Sequence, residues 1–213
     1  MLDGFSLKEA AAIAELPESV VRTAIEKKAI APRAESVGKA VRYQFGVKEL
    51  FYIKLLSAFP FDLDRDDKRS LRGLVFDRAE TAGRWRAEGP DFVVKSGDLV
   101  LHVEVKHLRN HLADNLATYR RGRRRVVSTP DILAGEPVFA GTRIPLAHVS
   151  ALVRNGIDAA EILEDFPALN GRDVAYAAIH ARIKPHPGRP RKPLELRRRK
   201  SDESPAGHAA ADR

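Results

Sequence analysis

Residues 5–55 decide the fold of this chain, and they read FSLKEAAAIAELPESVVRTAIEKKAIAPRAESVGKAVRYQFGVKELFYIKL. Ser6 with Glu9 three residues later forms a capping box, and this pattern predicts the start of a first helix. Proline suits the first position of a helix, so Pro17 predicts a second helix over residues 17–28. Two short helices joined by a tight turn indicate a helix-turn-helix.

The second helix divides into an apolar face and a polar face. Val20, Val21, Ala24 and Ile25 recur at helical spacing and are expected to face inward. The opposite face carries hydroxyl groups and positive charge, and its residues are Ser19, Arg22, Thr23, Lys27 and Lys28. A helix of this kind enters the major groove of duplex DNA with its first residues against the base edges. The alternative is an ordinary helical bundle in which these side chains form a solvated face.

A β-rich segment and a third helix follow. Residues 40–45 (AVRYQF) favour an extended segment, and Val47 is the predicted start of the third helix. The order helix, helix, wing, helix resembles the MerR-type winged helix. The matching residues are FSLKEA (5–10), VR (21–22), IAPR (30–33), RY (42–43) and EL (49–50). The resemblance implies a DNA-binding domain over residues 1–59, with further contacts from Arg33, Lys39, Arg42 and Tyr43.

The composition of the 213 residues limits the possible functions. The formal net charge of +8 favours polyanionic partners, chiefly nucleic acid. The chain has no cysteine, which excludes disulfides, cysteine nucleophiles and thiolate metal sites and suits a cytoplasmic protein. We expect no membrane association, because no apolar run approaches the roughly 18 residues that span a bilayer and no signal segment is recognisable.

Residues 60–126 are interpreted as a small α+β module. A charged helix is predicted over residues 64–82, followed by strands at 92–94 and 99–105 with a turn between them. A helical stripe then recurs at steps of four, four and three residues: Leu108, Leu112, Leu116 and Tyr119. This stripe is the candidate seam of a homodimer, or it packs against the hairpin within one chain. The arginines of residues 120–125 are interpreted as a solvated helix end.

One set of residues in this module suggests metal chemistry. Asp91, Glu104 and Lys106 match the acidic pair plus lysine of restriction-endonuclease-like nucleases, in which the acids hold Mg²⁺ and the lysine helps to activate water. The pattern is short, so chance matches are frequent. His107 and His111 lie one helical turn apart, a spacing that two metal ligands also use. We interpret these side chains as solvent-facing, and we expect no catalytic residue, no resident metal and no cofactor.

Residues 127–183 form a second organised stretch around the sequence GEPVFAGTRIP at positions 135–145. Two brief extended pieces are predicted about Ala140 and Gly141, followed by three short helices in a helix-turn-helix-like unit. The motif residues interpreted as structural are Gly135, Pro137, Gly141, Thr142, Arg143 and Pro145. Arg143 is expected to anchor the hairpin to the helices through Glu164 or Asp165.

The motif is similar to that of a small domain family of unknown function, whose members resemble antitoxins. The usual partner of these antitoxins resembles a PIN-domain ribonuclease. A MerR-like N-terminal domain followed by this module resembles a VapB-type antitoxin. The resemblance, and not the composition, implies the antitoxin function.

Residues 184–213 carry nine Lys and Arg against four Asp and Glu, and almost no large apolar residue. Such a segment cannot bury enough apolar surface to fold alone, so we predict a disordered basic tail. Its candidate toxin-binding residues are Arg189, Arg191, Lys192, Arg197, Arg198 and Arg199. The alternative is an arm in the minor groove of DNA, because PGRPRK at 187–192 is similar to AT-hook peptides.

These patterns predict a mainly α, α+β chain with a winged helix, a middle module, a three-helix domain and a basic tail. The expected protein is a cytoplasmic antitoxin without enzymatic activity, acting as a homodimer. It would repress its own promoter by binding the duplex DNA, and it would inhibit a PIN-like ribonuclease toxin. Two alternatives stay open, namely a MerR-like regulator that responds to a small ligand and the nuclease.

Overall fold

Helices dominate the computed structural model of the chain, which describes residues 4–37 and 40–183, and three small antiparallel sheets lie between them. The predicted mainly α, α+β fold class is confirmed. The helices are α1 (Leu7–Ala14), α2 (Glu18–Glu26), α3 (Val47–Ala58), α4 (Arg65–Arg72), α5 (Lys106–Arg125), α6 (Leu146–Arg154), α7 (Ala159–Asp165) and α8 (Gly171–Ile183). The strands are β1 (Arg33–Val37), β2 (Ala40–Gln44), β3 (Thr81–Ala82), β4 (Trp85–Glu88), β5 (Asp91–Ser96), β6 (Leu99–Val103), β7 (Val126–Val127) and β8 (Val138–Phe139).

The N-terminal helices form around the predicted capping box. The Ser6 backbone N–H donates to Glu9 Oε2 at 2.8 Å, and the Glu9 N–H donates to Ser6 Oγ at 3.4 Å. All five residues from Ala10 to Ala14 are buried, because α1 lies at the centre of the fold. The predicted second helix is shorter than residues 17–28: Pro17 is its N-cap, and Lys28 adopts the left-handed conformation with φ of 54°.

The wing and the third helix complete this region as expected from the sequence. Strands β1 and β2 pair antiparallel from Arg33 opposite Gln44 to Val37 opposite Ala40. A bridge between Phe5 and Phe45 joins the base of the wing to the start of α1. Helix α3 then buries apolar and aromatic side chains on several sides in the core, namely Leu50, Phe51, Tyr52, Ile53 and Leu55. The chain is therefore a helix-turn-helix followed by a β-hairpin and a third helix.

The middle of the chain differs from the expected long helix. Helix α4 passes into a π-helical turn at Gly73–Asp77 and ends there, because Arg78 adopts the left-handed conformation with φ of 55°. Residues 81–88 are strands β3 and β4 of a four-stranded sheet of order β3-β4-β5-β6. The predicted strand over 99–105 ends at Val103, because Asp91 caps the helix that begins at Lys106, three residues later.

Helix α5 crosses the molecule and contacts α1, α3 and α8. Its predicted apolar stripe is present, with Leu112, Leu116 and Tyr119 buried and Leu108 partly buried. These side chains are covered by helices of the same chain, so the stripe is not the seam of a homodimer. The predicted seam is therefore wrong, and the stripe packs within the chain against α1, α3 and α8 rather than against the hairpin that the alternative named. Homodimer formation itself stays a prediction.

The C-terminal helices lie against both earlier parts of the chain. Helix α8 packs on α6, α5 and α1, and β7 pairs with β8 at the entry to this region. Each helix starts where the sequence indicates: Pro145 precedes α6, and the Asp158 side chain caps α7 by accepting from the Ala160 N–H at 2.8 Å. No helix within residues 4–37 and 40–183 is long and apolar enough to cross a membrane.

Candidate nucleic-acid interface

The outer face of α2 presents the residues that the sequence assigned to DNA. Ser19, Arg22 and Thr23 are exposed on the helix, and Lys27 and Lys28 are exposed where it ends. In the described part of the chain, the side chains of Arg22, Lys27 and Lys28 form no ion pair and no hydrogen bond. Their charges are therefore available to an external anion. Val21 on the opposite face is only 1% exposed, which holds the helix against the core and fixes the direction of the outer face.

The wing carries two further exposed cations. Arg33 begins β1 and Arg42 lies in β2 opposite Glu35, and both arginine side chains are exposed. Tyr43 differs from them because its side chain is half-buried against the core. A contribution of Tyr43 to DNA contact is therefore limited to the part of its ring that stays accessible. Lys39, which the sequence also assigned to DNA, lies outside the described residues.

A rigid support lies under the candidate interface. Ile13, Ile30 and Phe45 are each at most 2% exposed, and they join the two helices to the base of the wing. The Lys54 ammonium donates to the Ala14 carbonyl oxygen at 2.7 Å and lies 3.5 Å from Glu15 Oε2, which ties α3 to the end of α1. Close packing restricts the relative movement of these elements, so the cations of α2 and those of the wing keep fixed positions relative to one another.

The antitoxin-like motif forms a chain reversal with internal hydrogen bonds. The Thr142 hydroxyl donates to the Phe139 carbonyl oxygen at 2.8 Å and accepts from the Ile144 N–H at 3.1 Å. Gly141 lies in this turn with φ of 77°, and Gly135 at the start of the motif has φ of 86°. Residues that carry a side chain rarely adopt either backbone conformation. Pro145 is the N-cap of α6. These residues have the structural roles that the sequence indicated, while Pro137 and Arg143 are exposed.

The anchor of this motif is a different arginine from the one expected. Arg143 makes no ion pair in the described residues, so the predicted bond to Glu164 or Asp165 is absent. Arg125 takes that role: its Nε lies 3.5 Å from the buried Asp173 Oδ1, and its guanidinium also donates to the Ala140 carbonyl oxygen. No pattern in the sequence predicts this contact, because Arg125 belongs to a run of arginines that is typical of a solvated helix end.

The candidate nuclease residues have separate environments. Asp91 Oδ1 accepts hydrogen bonds from the Val105 and Lys106 N–H groups at 2.8 and 3.0 Å, so this carboxylate caps α5. The side chains of Glu104 and Lys106 are exposed. Two of the histidines have different acidic partners: His102 lies 3.5 Å from Glu88, and His111 lies 3.5 Å from Glu15. Among the described residues no group of three or more His, Asp or Glu side chains is arranged to hold a metal ion.

A cleft of about 330 Å³ lies where the third helix of the winged helix meets the middle of the chain. Apolar residues of α3, the π-helical turn and α5 line it, with Phe51 and Leu112 among them. Lys48, Arg78 and Arg109 add three cations, and none of the described lining residues is acidic. The Arg109 guanidinium stacks over Phe51, with 4.3 Å between Cζ and the ring centroid. Such a lining suits an anion with an apolar body.

The candidate toxin-binding residues Arg189, Arg191, Lys192, Arg197, Arg198 and Arg199 all lie outside the described residues. The described chain ends at Ile183, the last residue of α8. The predicted basic tail is therefore not placed relative to the winged helix or to the motif.

Comparison with known proteins identifies one domain. Residues 126–181 match DUF433, a family described as a protein of unknown function. This match confirms the prediction of a small domain of unknown function around GEPVFAGTRIP, within two residues of the expected bounds. The domain includes β7, β8 and most of the last three helices.

Two further proteins are similar to this chain. The uncharacterized protein y4eO of Sinorhizobium fredii (strain NBRC 101917 / NGR234) is 34% identical over 91 residues, which cover 43% of this chain and 41% of that protein. The chain thus matches less than half the length of this relative. The crystal structure of Rv2018 from Mycobacterium tuberculosis is similar over 84% of this chain and 98% of its own, with 17% identity and a TM-score of 0.36. A score this low supports no argument about fold or function.

Proposed function

We propose that this chain is the antitoxin of a type II toxin–antitoxin pair, which binds the duplex DNA of its own promoter and inhibits a PIN-like ribonuclease. The observation that supports DNA binding is the exposed, unpaired cationic face of α2, together with the exposed arginines of the wing. Ser19, Arg22 and Thr23 lie early enough on α2 to reach base edges in the major groove. Arg33 and Arg42 contact phosphates in this arrangement, which positions the helix without reading sequence.

The C-terminal part of the chain is the proposed toxin-binding region. Its support is the GEPVFAGTRIP motif together with the cations that follow Ile183. A PIN-like ribonuclease gathers several carboxylates around Mg²⁺, and these groups repel one another when the metal is absent. An arginine or lysine placed among them relieves that repulsion and competes with metal and RNA. The folded domain then supplies docking, and the basic residues from Arg189 to Arg199 supply inhibition.

DNA binding is tested by replacing five cations with alanine: Arg22, Lys27, Lys28, Arg33 and Arg42. We expect the full chain to retard the DNA upstream of its own gene in a gel-shift titration, and the fivefold variant to lose this binding. Each lost phosphate contact should reduce the slope of log affinity against log salt by about 0.9. Arg22→Ala alone should cost about 1–3 kcal/mol and relax sequence preference if Arg22 contacts a base.

The matched control removes five exposed cations elsewhere: Arg65, Lys95, Lys106, Arg121 and Arg124. Both variants lose the same charge, so the control separates a specific surface from the general attraction of a basic protein. Equal binding by the two variants contradicts the proposed interface. The proposed interface is also contradicted if the variant without the α2 and wing cations still binds DNA, whatever the control variant does.

Toxin inhibition is tested with a chain that ends at Ile183 and with the ribonuclease encoded beside this gene. If the proposed function is correct, the shortened chain still binds the toxin but leaves its ribonuclease activity intact. The full chain inhibits the ribonuclease. If the shortened chain inhibits fully and loses DNA affinity instead, the basic residues belong to DNA binding. Failure of the full chain to bind any neighbouring toxin removes the antitoxin part of the proposal.

The cleft between α3 and α5 favours one other function, a regulator whose DNA binding responds to a small amphipathic anion. Lys48 and Arg78 would hold the carboxylate, while Phe51 and Leu112 would contact the apolar part. The test is calorimetric titration with decanoate and with decanol, followed by the same titrations of Arg78→Gln. This function is favoured over the antitoxin if decanoate binds and decanol does not. Arg78→Gln should then weaken the binding of decanoate, and bound decanoate should change the affinity for DNA.

A further inference from the structure

Strand β6 exposes three consecutive apolar side chains. Leu99 is 67% exposed, Val100 is 52% exposed and Leu101 is 50% exposed. Successive residues of a strand point to opposite faces, so the strand lacks cover on both sides of the sheet. Isolated apolar residues are common on protein surfaces, but a contiguous apolar group on a strand marks an interaction site or an aggregation hazard.

The same strand also forms the open edge of its sheet. Strand β6 pairs with β5 on one side, and no strand in the described part of the chain pairs with its other side. The opposite edge, β3, is only two residues long, and short edges resist pairing with another chain. Leu99, Val100 and Leu101 include none of the charged residues or prolines that usually protect an exposed edge. The sheet is therefore protected at one end and open at the other.

The register of the sheet shows that its buried face continues onto the edge strand β6. Leu101 pairs with Val94 and Val103 pairs with Phe92, and both β5 partners are at most 6% exposed. Cross-strand partners share a face, so Leu101 and Leu99 extend the apolar face that Trp85, Phe92 and Val94 begin. The chain does not cover this extension in its described residues. A neighbouring strand that carries similar apolar residues at alternate positions would complete it.

We propose that β6 pairs antiparallel with β6 of a second copy of this chain, about a two-fold axis that passes between the two Val100 residues. The two four-stranded sheets then form one continuous sheet of eight strands. Leu99 of each copy lies opposite Leu101 of the other on the buried face, and the Val100 side chains meet on the outer face. This inference rests on the sheet alone and does not depend on DNA or toxin binding.

The charged residues beside the apolar group favour this register over its neighbours. With Val100 on the axis, Asp98 lies opposite His102 of the other copy, and the imidazole can donate to the carboxylate. With Leu101 on the axis, Asp98 would lie opposite Glu104, and like charges directly opposite each other are destabilising. With Leu99 on the axis, Asp98 would face Val100, and fewer apolar pairs would form. A shift by one residue would turn Leu99 and Leu101 to the polar face.

The size of the contact sets the expected strength. A pair of five-residue strands buries less than the roughly 800 Å² per partner of a standard stable interface. The dimer is therefore expected to dissociate on dilution, with a dissociation constant in the range of weak, transient interfaces. Sedimentation of the full chain without DNA over a hundredfold range of concentration should show a monomer converting to a dimer.

Cysteine substitution tests the register directly, because the natural chain contains no cysteine. Under mild oxidation, Val100→Cys should link two copies, since residues on the axis face their own counterparts with Cβ atoms about 5 Å apart. Leu99→Cys and Leu101→Cys should each link much more slowly, because neither residue faces itself. Leu133→Cys is the matched control, as Leu133 is 49% exposed and lies outside the sheet.

Leu101→Glu tests the interface without chemical cross-linking. It should remove the dimer, while Leu133→Glu should leave it unchanged. Circular dichroism and thermal unfolding show whether the Leu101→Glu chain still folds. The inference is overturned if the natural chain stays monomeric throughout the concentration range, or if Leu101→Glu leaves the dimer intact. Faster linking by Leu99→Cys, Leu101→Cys or Leu133→Cys than by Val100→Cys also overturns it.

Discussion

Glu9 joins the first helix to the central helix through a single carboxylate. Its Oε2 accepts from the Ser6 N–H at 2.8 Å, and its Oε1 accepts from the Tyr119 hydroxyl of α5. Burial acts to raise the pKa of Glu9, but the bonds from Tyr119 and Ser6 and the charge of Arg123 outweigh it, so the pKa is lowered. Burial and the bond to Glu9 raise the pKa of Tyr119. The hydroxyl therefore stays a donor to an ionised partner.

The lowered pKa of Glu9 makes part of the stability dependent on pH. A carboxyl group with a lower pKa in the folded chain stabilises it above the ordinary value of 4.5, and this contribution disappears as the pH falls through the folded pKa. Glu9→Gln, which keeps the shape, should cost about 1 kcal/mol at neutral pH. The difference between the two chains should shrink in acid below pH 4.5. Urea unfolding at a series of pH values measures it, and a difference that is constant with pH would contradict the assigned charge.

Asp67 holds the middle sheet against α4. This side chain is 5% exposed and accepts from Arg84 Nε and from Trp85 Nε1, each at 2.7 Å. The bond from Arg84, together with that from Trp85, lowers the pKa of Asp67 despite its burial. The carboxylate is therefore ionised and has partners on strand β4.

Replacing Asp67 should be costly, because the buried Trp85 N–H would lose its acceptor. We expect Asp67→Ala to lower the free energy of unfolding by about 2–3 kcal/mol. Asp66→Ala is the matched control, since Asp66 is exposed and its ion pair with Arg69 at 3.0 Å lies on the surface. Exposed pairs contribute about 0–1 kcal/mol. Chemical denaturation of both variants tests the expectation, and equal losses would contradict it.

At the scale of elements, α5 and α8 approach closely at a glycine. Gly122 faces Tyr176, and a Cβ added at Gly122 would lie 1.9 Å from Tyr176 Cγ, which is far inside van der Waals contact. Both residues are buried. The two helices can therefore keep this separation only while residue 122 has no side chain.

Gly122→Ala should destabilise the chain by about 1–3 kcal/mol even though alanine is the better helix former. The matched control is Gly171→Ala, where an added Cβ meets nothing within 4 Å and the change should be neutral or stabilising. The double variant Gly122→Ala, Tyr176→Ala should lose less than the sum of its single changes, because the clash is removed. Thermal unfolding of the four chains measures the coupling, and additive losses would exclude the predicted clash.

Local signals in the sequence predicted the elements that carry their own start and stop residues. The first helix has its capping box, and the last three helices have Pro145, Asp158 and Asn170 near their starts. Strands β3 and β4 lack such signals, because the two-residue and four-residue segments are too short for alternation to be recognised. The apolar spacing of Leu71 and Leu74 predicted a helix as far as residue 82. The structure ends the helical turn earlier, at Arg78.

Contacts between residues far apart in the sequence were beyond prediction. Nothing near Arg125 indicates that Asp173 lies within reach, and nothing near Leu108 indicates which helices cover its stripe. The candidate DNA surface was predictable because it depends on one helix and one hairpin. The packing between the predicted modules was not predictable for the opposite reason, since the contacts of α8 with α1 join residues more than a hundred positions apart.

At the scale of the molecule, the described chain has a shared core. Helix α8 contacts both α1 and α5, Arg182 lies 3.0 Å from Glu15, and the Asn115 amide donates to the Ile13 carbonyl oxygen at 3.0 Å. The core cluster extends continuously from Phe5 to Ile179. Residues 5–58 and the residues that match DUF433 are therefore parts of one packing unit.

A shared core predicts a single cooperative unfolding transition for residues in all three regions. Fluorescence of Trp85, the only tryptophan, reports on the middle sheet, while far-ultraviolet circular dichroism reports on helices throughout the chain. The two signals should change at the same urea concentration. A fragment that ends at residue 126 should fold poorly, because it exposes the faces of α1 and α5 that α8 covers. Two separated transitions would show that the regions are independent.

The position of α8 also bears on how such a protein can be reused by recombination of genes. Exchange of domains succeeds most easily when each domain carries a complete core of its own. A hybrid that joined residues 126–181 to an unrelated DNA-binding domain would bring Tyr176 without the glycine that accommodates it. Functional hybrids would have to inherit α1, α5 and α8 together. The heritable unit in this chain is a cluster of three helices that come from three distant parts of the sequence.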